Sequence, residues 1–226
     1  MNIGIIVAGG RSARMGAGLD KAFMNLGAKP VLVYSLDAFE KCSVIDAVVL
    51  VVRKDRLAAA EGMVQVFGCS KVKAIVAGGA QRQVSVANGL AAAGDEARFV
   101  CIHDGSRPCV TPELIADTMK TARRYGSGVA AVKIVDTVKE VSGSGLVVSR
   151  TLDRSRLWAV QTPQAFKISI LSDALDHVRK NKVSVTDDAS AVELAGGEVR
   201  LVPSSWSNIK ITLPEDLALV ETLLKS

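Results

Sequence analysis

The chain is 226 residues long, carries a formal charge of +5, and is 49% hydrophobic and 23% charged, with aromatic residues at only 4%. That balance describes a globular chain able to bury a core and excludes a disordered one, and no apolar run reaches the roughly 18 residues of a membrane span. The positive charge suits an anionic partner, whether nucleic acid, a membrane surface or phosphorylated metabolites, but scattered basic residues with few aromatics argue against a stacking platform for nucleic acid.

The N-terminus runs directly into NIGIIVAGG, with no basic leader, long apolar stretch or small-residue cleavage site, so a cytoplasmic protein is expected. Apolar, β-branched runs follow at IGIIVA (3–8), AVVLVV (47–52), VKAIVA (72–77), RFVCIH (98–103) and GVAAVKI (128–134). Between them, VLVYSLDAFEKC, LAAAEGMVQVF, QVSVANGLAAA and PELIADTMKTARRY carry apolar residues at helical spacing, and Thr111 before Pro112 reads as an N-cap with proline at the first helical position. Repeated βαβ units with strands apolar along their whole length predict an α/β, Rossmann-like three-layer sandwich with a mostly parallel twisted sheet.

From 134 to 156, VDTVKEV and GLVVSRTL alternate around Ser-Gly-Ser-Gly and predict a protruding β-hairpin. Apolar residues on both of its faces need a partner, which makes it a candidate dimerisation arm of a homodimer. Beyond it the pattern predicts helices near 167–180 and 187–195, strands near 198–202 and 208–212, and a last helix from Pro214, all within one domain spanning 1–226. Cys42, Cys69, Cys101 and Cys109, with only His103 and His177 beside them, form no metal-ligand spacing and read as reduced thiols.

In a sheet of this kind ligands bind beyond the carboxyl ends of the strands. Three polar, glycine-bearing segments fall there: AGGRSARMG after the first strand, AGGAQRQ (77–83) after the third and HDGSRP (103–108) after the fourth. Glycines at a strand end let backbone N–H groups approach an anion, and Arg14 and Lys21 add positive charge, so a triphosphate is the natural occupant. Neither G-x-x-x-x-G-K-[ST] nor G-x-G-x-x-G is present.

Taken in order, AGGRSARMG (8–16), DKAF (20–23), GGAQRQVSV (78–86), HDGSRPCV (103–110), DTVKEV (136–141), TLDRSRLWAVQTPQAF (151–166), TDDASAVE (186–193), NIKIT (208–212) and PEDLAL (214–219) span nearly the whole chain. This ordered set resembles the 2-C-methyl-D-erythritol 4-phosphate cytidylyltransferases, a family with the nucleotide-diphospho-sugar transferase type of fold. The resemblance implies transfer of a cytidylyl group from CTP to 2-C-methyl-D-erythritol 4-phosphate, with Mg2+ held mainly by the substrate phosphates and no dedicated protein metal site. The products are pyrophosphate and 4-diphosphocytidyl-2-C-methyl-D-erythritol, a precursor in the non-mevalonate route to isoprenoids.

Carried over by position, the resemblance implies that Arg14 and Lys21 stabilise the transition state, and that Arg154 and Lys210 position the attacking phosphate. It places Ala8, Gly9, Gly10, Gly79, Arg82, Ser85 and Asp104 in the nucleotide site. Asp104, Arg107, Thr137, Thr162 and Thr186 line the sugar-phosphate pocket, with Thr137 and Arg154 reaching it from the partner subunit's arm. In-line attack on the α-phosphorus needs no protein nucleophile, only fixed cations where charge develops and a second set to bring two mutually repelling substrates together. His103 is read as a buried neighbour of this site, not a base.

The chain departs from the family's usual pattern in that Gly9 and Ser12 stand where alanine and glycine are usual, and Asp20-Lys21-Ala22 replaces Pro-Lys-Gln. Ala80 and Ser204 stand where an acidic residue and a glycine are common. A cytidylyltransferase for ribitol 5-phosphate and a non-catalytic nucleotide-binding regulator remain the alternative readings.

Overall fold

The computed structural model describes residues 1–10, 20–143 and 145–225. Among these, seven strands form the main sheet, and their order explains where a ligand can sit. The strands are β1 (Asn2–Ala8), β4 (Ala47–Val52), β5 (Val72–Ala77), β6 (Phe99–Asp104), β7 (Ser127–Lys133), β10 (Trp158–Lys167) and β11 (Leu201–Pro203), arranged β11-β7-β10-β6-β1-β4-β5. β1 pairs in parallel with β4 and β6, and β4 with β5; β10 alone runs antiparallel, between β6 and β7. The parallel strands thus deliver the ends of β1, β5 and β6 to one edge of the molecule.

The strand AVVLVV is buried at every position because helices cover both faces. Side chains alternate, so Val48, Leu50 and Val52 enter one core with Ile6, Leu32, Phe39 and Met119, whereas Val49 and Val51 enter the opposite core with Ile5, Val86, Phe166 and Leu171. Helices α1 (Val31–Lys41), α2 (Leu57–Val66) and α4 (Pro112–Tyr125) supply the first layer; α3 (Arg82–Ala93), α5 (Ile168–Lys180) and α6 (Asp188–Leu194) supply the second. Thr111 caps α4 by accepting a hydrogen bond from the Leu114 amide at 3.2 Å, and Gly126 ends it at φ +89°. No helix among the described residues is long and apolar enough to cross a membrane.

The hairpin forms as β8 (Lys139–Ser142) and β9 (Val147–Thr151), a separate two-stranded sheet in which all nine residues are exposed. Another small ladder joins β2 (Asn25–Leu26) to β3 (Lys29–Pro30), and α7 (Asp216–Lys225) closes the chain.

Two expectations are corrected. The strand near 198–202 is confined to Leu201–Pro203, and residues 208–212 form no strand. Their backbone is used otherwise: the Asn208 amide donates to Ser205, Ile209 to Ser207, Ile211 to Ser106, and Thr212 to the Asp216 carboxylate, so no ladder edge is left. Conversely, the ten-residue β10 includes Thr162-Pro163, in a stretch for which the sequence pattern predicts no strand. Pairing with β7 shifts between Val160 and Gln164, so the proline sits in an irregularity where no ladder amide is required.

Candidate active site

A cavity of about 910 Å³ opens over the carboxyl ends of β1, β4, β5 and β6. Ala8, Gly9 and Gly10 line it from the end of β1, and a Cβ on Gly10 would meet no atom of the described residues within 4 Å. Gly79 lines it from beyond β5, and here glycine is obligatory, since a Cβ would stand 2.2 Å from Val84 Cγ1. The Gly79 amide donates to Ser85 Oγ at 3.0 Å, and that hydroxyl donates to the Gln81 carbonyl at 3.2 Å. Ser85 therefore shapes the glycine turn at the start of α3 and presents its backbone to the cavity.

Asp104, the last residue of β6, is the hub of the charges. Its Oδ2 lies 2.7 Å from Lys210 Nζ and 3.9 Å from Arg107 Nε, and its Oδ1 lies 3.5 Å from Arg82 Nη2. Burial opposes ionisation of this carboxyl, but Arg82 and Lys210 outweigh it and hold its pKa well below the usual carboxylate range. Arg82 in turn bonds Asp188 Oδ2 at 2.5 Å; burial works against the guanidinium charge, yet Asp188 and Asp104 keep its pKa above the ordinary value. Lys210 reaches the hub because the Ile211 amide donates to the Ser106 carbonyl at 2.8 Å, and Lys21 Nζ donates to the Ile211 carbonyl at 2.7 Å. Two lysines far apart in sequence thus meet across residue 211.

Behind Asp104 runs a buried relay whose directions follow from its ends. The Asp104 amide donates to Thr162 Oγ1 at 3.0 Å, which leaves that hydroxyl to donate to His103 Nδ1 at 3.2 Å. The opposite ring nitrogen, Nε2, lies 3.2 Å from the Arg107 carbonyl, an acceptor, and so carries the proton. This arrangement requires neutral histidine, and burial, opposed by Asp104, pushes its pKa down to about 4. The unfolded chain, with a histidine pKa near 6.5, binds the proton that the folded chain refuses. Stability therefore rises with pH between about 4 and 6.5 and is level above, with this ring contributing about 3 kcal/mol over the window. Urea unfolding at pH 7, 6, 5 and 4.5 checks this, and His103→Gln is expected to remove that part of the slope.

Of the residues singled out from the sequence, Ala8, Gly9, Gly10, Lys21, Gly79, Arg82, Ser85, Asp104 and Lys210 line this one cavity. Arg107 and Thr162 stand directly behind Asp104. Thr186 is exposed and precedes Asp187, which is itself the N-cap of α6, so Thr186 is not among the lining residues. Thr137 and Arg154 lie at the base of the hairpin, exposed and outside the cavity of their own chain, with Arg154 Nη1 donating to the Val135 carbonyl. Arg14 lies outside the described residues. Asp188 and Asn208 were missed. Asn208 accepts from Arg107 Nη1 through its carbonyl at 2.7 Å and donates to the Thr162 carbonyl at 2.9 Å, and its place in NIKIT was the available signal.

A model of the family described as IspD: 2-C-methyl-D-erythritol 4-phosphate cytidylyltransferase matches residues 3–226. The chain belongs to this family. It is 45% identical over 221 residues to the 2-C-methyl-D-erythritol 4-phosphate cytidylyltransferase of Dehalococcoides mccartyi (strain ATCC BAA-2266 / KCTC 15142 / 195), covering 98% of this chain and 95% of the relative. To that of Geobacillus kaustophilus (strain HTA426) it is 42% identical over 223 residues, with 98% and 96% covered. Among solved structures, 4-diphosphocytidyl-2C-methyl-D-erythritol synthase from Anaerococcus prevotii DSM 20548 superposes with a TM-score of 0.87 at 29% identity, covering 100% of this chain and 96% of that one. The cytidylyltransferase from Thermus thermophilus gives 0.79 at 31% identity, with 98% of each covered. Family membership makes the chain a nucleotidyltransferase with 2-C-methyl-D-erythritol 4-phosphate cytidylyltransferase activity, and the α/β sheet with its hairpin is the family's fold.

Proposed function

We propose that the cavity over β1 and β6 holds CTP and 2-C-methyl-D-erythritol 4-phosphate together, in one nucleotidyltransferase domain spanning the chain. The convergence of Lys21 and Lys210 on that cavity, beside the glycine backbone of residues 8–10 and 78–79, carries this reading. Backbone amides at a strand end and two ammonium groups are what a triphosphate and a phosphate monoester require. An oxygen of the sugar-alcohol phosphate forms a bond to the α-phosphorus of CTP while the bond to the bridging oxygen breaks and pyrophosphate leaves; no proton need be removed from the attacking group. Lys21, with Arg14, meets the charge that builds on the equatorial oxygens. Lys210 holds the attacking phosphate, with Asp104, Arg107 and Thr162 orienting the sugar alcohol.

Mg2+ fits this donor set. Among the described residues no group of three or more His, Cys, Asp or Glu side chains could hold a metal ion; in the proposed complex the substrate phosphates would supply most of the oxygens. Asp104 is the protein carboxylate that would support the ion, through Oδ1, whose ion pair with Arg82 spans 3.5 Å. When bound, the ion would offset the charge of the phosphates.

The arm supplies the remaining part. Val141, Leu146, Val147 and Val148 are 45%, 86%, 64% and 52% exposed on an isolated hairpin, an apolar surface that a second copy would cover. Pairing through it brings the partner's Thr137 and Arg154 to the cavity, which explains why neither reaches it in its own chain. The cytoplasm suits an enzyme that draws on CTP with reduced thiols at Cys42, Cys69, Cys101 and Cys109.

A pyrophosphate-release assay with the four common nucleoside triphosphates and two sugar phosphates tests the substrate assignment. Release is expected from CTP with 2-C-methyl-D-erythritol 4-phosphate. A preference for ribitol 5-phosphate would overturn the substrate, and release from no combination would leave a nucleotide-binding regulator.

A further inference from the structure

A carboxylate stands immediately before the proposed catalytic cation, in a cavity suited to anions. Asp20 belongs to the cavity wall, yet its side chain is only 3% exposed, because it is turned onto the segment that follows β4. Its Oδ2 lies 3.3 Å from Arg56 Nε and 3.8 Å from Arg53 Nη2. Among the described residues, Asp20 Oδ2 and Arg56 Nε are both fully buried and make no directed hydrogen bond, so proximity of opposite charge is what joins them.

The consequence for Lys21 comes from what surrounds it. On its C-terminal side, the Ala22 carbonyl accepts from the Leu32 amide and the Met24 carbonyl from the Val31 amide, both at 2.9 Å, which ties the segment to the start of α1. The Asp20 carbonyl closes a turn to the Phe23 amide at 2.9 Å, and the Arg56 guanidinium lies 5.7 Å from the centre of the Phe23 ring. The N-terminal side of Lys21 is held by the Asp20 carboxylate. Arg56 therefore grips both ends of the turn that carries the lysine.

We propose that Asp20 is a positioning residue: its ion pair with Arg56 and Arg53 clasps the 20–23 turn to the segment after β4 and so sets where the Lys21 ammonium stands. A second effect of the same pair is to keep two guanidinium charges from acting on the nucleotide. Arg53 is shared with Asp55, whose Oδ1 accepts from its Nε at 3.0 Å, but Asp20 is the carboxylate that faces Arg56. Loss of the clasp accordingly moves the two kinetic parameters apart. Turnover falls because the lysine is misplaced, and on loss of Asp20 the KM for CTP does not rise, because unopposed positive charge attracts the nucleotide.

This inference rests on the role assigned to Lys21, and the experiment separates the two. Steady-state kinetics per folded enzyme are measured for Asp20→Asn, Asp20→Glu, Arg56→Gln, the double variant Asp20→Asn/Arg56→Gln, and Lys21→Ala. Asp20→Asn and Arg56→Gln are each expected to lower kcat about tenfold or more, since a misplacement on the order of 1 Å is enough for that. The KM for CTP stays level or falls in Asp20→Asn, which leaves the guanidinium groups unopposed, and rises in Arg56→Gln, which leaves the carboxylate unopposed; the double variant is no worse than the poorer single, and Asp20→Glu recovers part of the loss. If Lys21→Ala loses turnover and Asp20→Asn keeps it, the clasp is wrong and the site reading stands. If Lys21→Ala keeps turnover, the site reading is wrong. Should Asp20→Asn fail to fold, Arg56→Gln against Asp20→Glu carries the test, and wild-type kcat in Arg56→Gln overturns the clasp.

Discussion

Lys21→Ala is expected to lower kcat about a hundred- to a thousandfold while leaving the KM for CTP nearly unchanged. The lysine is anchored by its bond to the Ile211 carbonyl, so its charge stands in place before the substrates arrive. A fixed cation of this kind stabilises charge that appears only as the α-phosphorus is attacked, and ground-state binding, which the proposed site spreads over the rest of the cavity lining, survives its removal. Lys21→Arg is expected to restore little, because a planar fork cannot reproduce the position of a compact ammonium. Stopped or steady-state pyrophosphate release measures both parameters. Unchanged turnover with a raised KM would place Lys21 in binding alone.

Mixing Lys21→Ala with Arg154→Ala enzyme is expected to restore activity that neither variant has alone. If each site combines Lys21 of one protomer with the arginine of the partner's arm, a hybrid dimer has one site with both defects and one with none. Random exchange makes about half the dimers hybrids, so about one quarter of wild-type turnover returns. Arg154 lies outside the cavity of its own chain, which is why the test has a large range: without arm exchange the mixture stays as inactive as its parts. Sedimentation at the assay concentration shows whether the pair forms.

Much of this architecture was legible in the chain. Runs such as AVVLVV and IGIIVA are apolar at every position because both sheet faces are covered, and the turns that follow β1, β5 and β6 marked the cavity before any geometry was known. β10 was hidden for a physical reason. Gln161, Thr162 and Gln164 are polar and buried, with Gln164 bonded to Asp187 and to the Ala189 amide, so the segment lacks the hydrophobic pattern of a core strand. Residues 208–212 misled in the opposite way, since Ile209 and Ile211 alternate like a strand although Ile211 is buried in a small cluster with Leu26, Val31 and Val220. Asp188 escaped notice because TDDAS reads locally as a helix cap, and only the folded chain brings it to Arg82. The clasp from Asp20 to Arg56 is likewise a product of tertiary packing, with the acid ahead of α1 and the arginine beyond β4.

The irregular stretch around Ile211 has a bearing on how the enzyme comes into being on the ribosome. Strands β1, β4, β5 and β6 all precede Lys210 in the chain, so the ammonium proposed to hold the second substrate is made after every strand that borders the cavity. In the folded chain Ile211 packs with Leu26 and Val31, and Lys210 beside it meets Asp104. On the proposed assignment of Lys21 and Lys210, a chain cut short before Lys210 would lack both the acceptor that anchors the first lysine and the second lysine itself.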